Sequence, residues 1–261
     1  MKKSAFTLAE VLITLGIIGV VAALTLPALM ADYRAKELEV RFKKAQSVIW
    51  NIHQRMIADY GSVYGTFIQK DVIMTDNESE TALRYKYIDI FMKYVNGGKI
   101  CTWGNSILSC MNKSNPVDYK TYDGQNTAHL TMDAVHDRVV VAPDGITIFF
   151  GNTAYRNNRI YVDTNGALKG PNRLGFDLFA FDVDSNDKII PPKTFGAAGD
   201  NLVTDDGESG TTNDCSIKKK GNKYNGFGCT IFAMNDKIRI IRLYHIGKIC
   251  QNKTNYVHDT I

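Results

Sequence analysis

The sequence predicts an α+β protein in which one long N-terminal helix precedes an antiparallel β-sheet. Three observations carry this expectation. Residues 11–31 contain no charged side chain. Residues 38–60 then place Leu38, Phe42, Ala45, Ile49, Ile52, Met56 and Tyr60 at helical spacing, giving one apolar stripe on an otherwise polar helix. In the second half, short runs of β-branched and aromatic residues alternate with turn-forming Gly, Pro, Asn and Asp, so strands follow the helix.

The apolar run is the most informative segment. At ~1.5 Å per residue it spans ~30 Å as a helix, the thickness of a bilayer hydrocarbon core. It is longer than the ~7–15 residues of a signal-peptide core. Its best cleavage site for that purpose, Leu29-Met30-Ala31, is poor. A buried core helix is rarely apolar on every face. Glu10 stands at the threshold of the run, four residues after Phe6. A carboxylate in hydrocarbon costs roughly 2.5–3.5 kcal/mol, so it calls for a partner. Pro27 removes one helical hydrogen bond late in the run, and Gly16, Gly19 and Ala23 thin the surface for a second helix.

No linker separates this run from the amphipathic stripe, so residues 6–60 read as one helix of ~80 Å, stopped by Gly61. A second helix is expected over residues 78–95, with Leu83, Tyr87, Phe91 and Tyr94 on one side and Gly97-Gly98 at its end. Strands are expected at 128–133, 138–142, 146–150, 159–162, 176–181 and 188–190, with Pro143-Asp144-Gly145 as a turn. Residues 191–228 are Gly-rich and polar and read as a long loop.

Residues 2–11, KKSAFTLAEV, resemble the leader and processing site of type IV prepilins and type II secretion pseudopilins. In that family a prepilin peptidase cuts before a residue that is usually Phe, and the new amine is methylated. The mature chain carries Glu fifth and often Pro twenty-second. A cut between Ala5 and Phe6 puts Glu10 and Pro27 at those places; Ala5 stands where Gly is usual, and Ala9 where a larger apolar residue is commoner. The resemblance implies a leader at 1–5, a transmembrane helix at 6–31, an amphipathic stem at 32–61 and an extracytoplasmic head at 62–261. It implies a type IV pilin-like fold, with the stem packed on an antiparallel sheet. Phe6 would be N-methylated, and Glu10 would neutralise the Phe6 amine of a neighbouring subunit during assembly, with Pro27 part of the same helix interface. The implied partners are the prepilin peptidase, other pilin or pseudopilin subunits and an inner-membrane assembly platform, and the chain itself is no enzyme. It would sit in a bacterial inner membrane, N-terminus in the cytoplasm, before entering a filament. Lys2 and Lys3 are balanced by Arg34, Lys36, Arg41, Lys43 and Lys44, so basic residues alone do not choose that orientation. Pilus, secretion pseudopilus and DNA-uptake pilus are not distinguished.

Five cysteines are present and none forms a C-x-x-C pair. In an exported head, Cys101–Cys110 and Cys215–Cys229 are the near-neighbour bridges, with Cys229–Cys250 an open alternative. Catalytic patterns are missing. His53, His129, His136, His245 and His258 do not fall at metal-ligand spacing, and no phosphate-binding loop or nucleophile elbow occurs. Asp163-Thr164-Asn165-Gly166 begins like a calcium loop, but Leu174 replaces the closing acid; Asp182, Asp184, Asn186 and Asp187 fail similarly. Pseudopilins include calcium-binding members, which keeps calcium open, while the residues themselves read as tight turns. Residues 162–181 also resemble a segment of some large prepilin-type proteins of gut-associated bacteria. The chain carries 31 basic and 27 acidic residues, net +4, too dilute for a nucleic-acid footprint. The alternative reading is a membrane-anchored ligand-binding domain that never polymerises, using the loop at 191–228 for capture.

Overall fold

The computed structural model describes residues 7–68, 80–102, 119–128, 138–150, 159–192, 215 and 225–235. Helix α1 runs Leu8–Tyr60 without interruption through Pro27. The protein divides into two units, and the described part of the first is α1 up to Glu37. The second starts at Leu38 and carries a π-helical turn Tyr64–Ile68, α2 (Glu80–Lys93), six strands and α3 (Cys229–Met234). The strands are β1 (Lys99–Thr102), β2 (Arg138–Val141), β3 (Thr147–Phe150), β4 (Ile160–Asp163), β5 (Leu178–Val183) and β6 (Ile189–Ile190). They form one sheet in sequence order, each strand antiparallel to the next. The α+β class and the order of long helix then antiparallel sheet agree with the sequence expectation, and the arrangement is consistent with a pilin-like fold.

In the second unit the apolar stripe of α1 does what its spacing requires. Phe42, Ala45, Ile49, Ile52 and Met56 are all buried. The Phe42 ring meets Phe179 of β5 edge-on at 4.5 Å and stacks near Phe181 at 6.0 Å. Lys44 adds a contact at the rim, 2.6 Å from Asp144 in the β2–β3 turn. The helix ends where Gly61 takes φ +74, with its amide donating to the Ile57 carbonyl at 2.9 Å. A side chain is strained in that conformation and glycine is not. On α2, Tyr87 and Phe91 pack against Phe150 of β3 at 5.9 and 5.1 Å.

The opposite face of the sheet is covered too. Val139, Phe149, Tyr161, Leu178 and Ala180 pack there against Tyr119, Leu174 and Phe227 from the irregular segments. Alternate residues of one strand therefore serve different layers: Phe149 faces Tyr161, stacked at 5.3 Å, while Phe150 faces α2. This is why β3, β4 and β5 are buried at every position instead of alternating between core and water.

Several boundaries differ from the sequence expectation. The second helix is Glu80–Lys93, ending two residues before the expected 95; residues 78 and 79 lie outside the described residues. Strand β1 was not anticipated, because four residues after a Gly-Gly pair show no usable alternation; its pairing with β2 defines it. Strands β3 to β6 start one or two residues later than read; ahead of β5, Phe176 and Asp177 belong to a turn. Of residues 128–133 only Ala128 is described, outside any strand.

The Tyr87 hydroxyl is buried beside Phe67, Phe91 and Phe150 and has no hydrogen-bond partner among the described residues. A buried hydroxyl without a partner is a net loss relative to its hydration in the unfolded chain. Tyr87→Phe is therefore expected to keep or raise stability, by up to about 1 kcal/mol. Thermal unfolding of the two proteins side by side checks it; a clear drop in midpoint would mean that the hydroxyl is in fact satisfied.

Candidate functional site

Every large apolar side chain of α1 from Leu8 to Met30 is exposed, on all sides of the helix. The segment is long and apolar enough to cross a membrane, and none of its apolar window is buried within the chain. A Cβ added at Gly16 or Gly19 would meet nothing within 4 Å, so the backbone is open to close approach there. The hydroxyls of Thr14 and Thr25 bond back to the carbonyls of Val11 and Val21 at 3.0 and 2.9 Å, which hides their polarity. Pro27 sits inside the helix. Ala5 and Phe6, the expected cleavage and methylation residues, lie outside the described residues.

Glu10 is held by a residue that the sequence reading did not single out. The Thr7 amide and hydroxyl both donate to Glu10 Oε2 at 2.8 Å, and the Glu10 amide returns a bond to Thr7 Oγ1 at 3.3 Å. This is a capping box: the first helical turn leaves amides without intrahelical partners, and Thr-x-x-Glu satisfies two of them reciprocally. The spacing was the signal. Thr7-Leu8-Ala9-Glu10 just ahead of an apolar run is the pattern of a helix start.

In the second unit, the residues that began like a calcium loop form a buried turn between β4 and β5. Asp163 Oδ1 accepts the amides of Asn165 and Gly166 at 3.2 and 2.9 Å, and Oδ2 accepts the Tyr119 hydroxyl at 2.9 Å. Asp177 accepts the amides of Asn172 and Arg173 at 2.7 and 2.6 Å. Burial raises the carboxyl pKa of both residues, and the charge of Asp177 raises Asp163 further, to about 7. Asp184 likewise organises the β5–β6 turn by accepting the amides of Asn186 and Lys188, both at 2.9 Å. Asp182 faces inward and pairs with Arg159, Nε to Oδ1 at 2.8 Å and Nη2 to Oδ2 at 2.9 Å. Among the described residues no three His, Cys, Asp or Glu side chains are placed to hold a metal ion.

Cys215 and Cys229 are joined in a disulfide, 14 residues apart in sequence. Closing a loop of that length removes unfolded-state entropy worth about 3 kcal/mol in the chain model. Cys229 is thereby unavailable to Cys250. Cys101 is also disulfide-bonded. Cys110 and Cys250 lie outside the described residues, as do His129, His136, His245 and His258. Most of the expected loop at 191–228 is outside them too, but its end is packed. Phe227 lies edge-on to Tyr161 at 6.0 Å, the Tyr122 amide donates to the Asn225 carbonyl at 2.8 Å, and Arg159 sits 5.8 Å from the Phe227 ring centre. Gly226 permits this approach, since a Cβ there would fall 2.3 Å from Leu174.

No curated protein and no solved structure matches the chain. Residues 1–26 match the prokaryotic N-terminal methylation motif, which takes in the Ala5-Phe6 junction, Glu10 and the first part of the apolar helix. The chain thus carries the type IV prepilin and pseudopilin signature, set ahead of a long apolar helix and an antiparallel sheet.

Proposed function

We propose that the chain is a structural subunit of a type IV pilus or type II secretion-like filament. Residues 1–5 are a leader removed by a prepilin peptidase, and the new Phe6 amine is then methylated. Residues 6–31 hold the subunit in the inner membrane, N-terminus in the cytoplasm, with the amphipathic stem at 32–61 and the head at 62–261 outside. An assembly platform then extracts it into a bundle of like helices. The chain performs no reaction of its own; processing and extraction belong to its partners.

The observation that carries this reading is the first half of α1: apolar side chains exposed on every side, beginning at a lone carboxylate inside a matched methylation motif. Lipid covers such a surface before assembly, and neighbouring helices cover it afterwards. Glu10 and the Phe6 amine of a neighbour are each costly alone in that setting and tolerable as a pair. The test is mass spectrometry of the mature N-terminus from a strain with an active prepilin peptidase. The expected product begins at N-methylated Phe6; a chain retaining Met1 would overturn the proposal. Calcium is not required by this reading.

A further inference from the structure

Helix α1 and the β5–β6 turn meet at one buried histidine. His53 is fully buried, and its Nε2 lies 3.0 Å from the main-chain oxygen of Asp187. A carbonyl can only accept, so Nε2 carries the hydrogen and Nδ1 is the unprotonated nitrogen. That Nδ1 is buried with no partner among the described residues. Asp187 sits at the end of the turn with φ 57, a conformation in which few residues other than glycine, Asn and Asp rest. Its Oδ1 accepts the Tyr64 amide at 2.6 Å, and its own amide donates to the Asp184 carbonyl at 3.0 Å. Asp187 therefore joins the π-helical turn through its carboxylate and α1 through its carbonyl.

We propose that His53 is an acid-released latch: with one proton it ties the β5–β6 turn to α1, and with two it lets the turn and the attached π-helical turn come away. The second proton would place a charge and a new N–H donor at Nδ1, where nothing accepts it. The charged groups acting on the ring are the carboxylates of Asp187 and Asp184, both from the turn, and they favour the cation. Burial outweighs them and holds the imidazole below its ordinary value of about 6.5. A lowered histidine value stabilises the closed form fully above about pH 6.5, and that stabilisation is lost as pH falls through the folded value. Over that window the opening equilibrium rises by up to about tenfold per pH unit, the uptake of one proton.

Hydrogen exchange of the full chain in detergent micelles, read by mass spectrometry over residues 60–68 from about pH 7.5 to about pH 5, tests this. After correction for intrinsic rates, the wild type is expected to lose protection in this segment below about pH 6.5. His53→Gln, which keeps a donor for the Asp187 carbonyl but cannot titrate, is expected to show a flat profile. Asp187→Asn, which keeps the oxygen that accepts the Tyr64 amide, is expected to behave like the wild type. Undiminished wild-type protection at acid pH would overturn the latch. So would the same loss in His53→Gln, or a loss that disappears in Asp187→Asn. If His53→Gln does not fold, the His53 ring titration by NMR in the wild-type chain decides: a midpoint at or above the ordinary histidine value would overturn the proposal.

Discussion

Replacing Glu10 with lysine is expected to abolish incorporation of the chain into filaments while leaving it in the membrane fraction. In the native chain the carboxylate ends the capping box of α1 and is the last charge before the apolar run. Lysine removes the acceptor for the Thr7 amide and hydroxyl and places a cation where the Phe6 amine of a neighbour is proposed to dock. Leaving one buried charge without its partner costs about 3–5 kcal/mol, and two like charges cost more, so incorporation is expected to fall at least about a hundredfold. Glu10→Gln keeps an oxygen for Thr7 but no charge, and an intermediate yield is expected. Immunoblots of sheared filaments against membranes give both numbers. A lysine variant found in filaments at the native level would sink the assembly role, and a lysine variant that keeps the full function of its head outside any filament would favour the non-polymerising alternative.

The second large effect is expected in the head. Arg159→Ala is expected to destabilise it by about 3–5 kcal/mol, because Asp182 would remain buried without its bidentate partner. The side chains are only 4% and 7% exposed, so water cannot take over without opening the sheet between β4 and β5. The change also removes the guanidinium from the Phe227 ring and with it part of the seat of the C-terminal segment. The double variant Arg159→Met, Asp182→Leu is expected to recover most of the loss, since well-packed apolar groups replace a buried ion pair at little net cost. Denaturant unfolding of the single and double variants measures both steps. A single variant as stable as the wild type would show that the pair is solvated.

What could be read in advance follows from how locally each feature is encoded. The α1 stripe was legible because seven residues repeat at helical spacing, and the five from Phe42 to Met56 at its centre are the buried ones. The runs around Phe149 and Phe179 were legible as strands, but not which residue faces which layer, because with both faces covered every position is buried and no apolar–polar alternation marks the faces. Strand β1 is too short to announce itself. The Arg159–Asp182 pair joins residues 23 apart in sequence, and no local pattern specifies it. Phe227 and Asn225 sat in a stretch whose glycines signalled loop, yet Gly226 is there to let the backbone press against Leu174. At the N-terminus Glu10 was legible as an anomaly, whereas Thr7 was passed over although its spacing to Glu10 spelled out a capping box.

The strand order has a consequence for how such a molecule is made. Among the described residues, each strand pairs with its neighbours in sequence order, from β1 to β6. A chain threaded through a pore from its N-terminal side could zip up β2 to β6 one after another, while β1 waits for a mate 35 residues further on. Phe227 and Cys229 emerge after β6, so they plug and then oxidatively seal the six described strands once these are all in place.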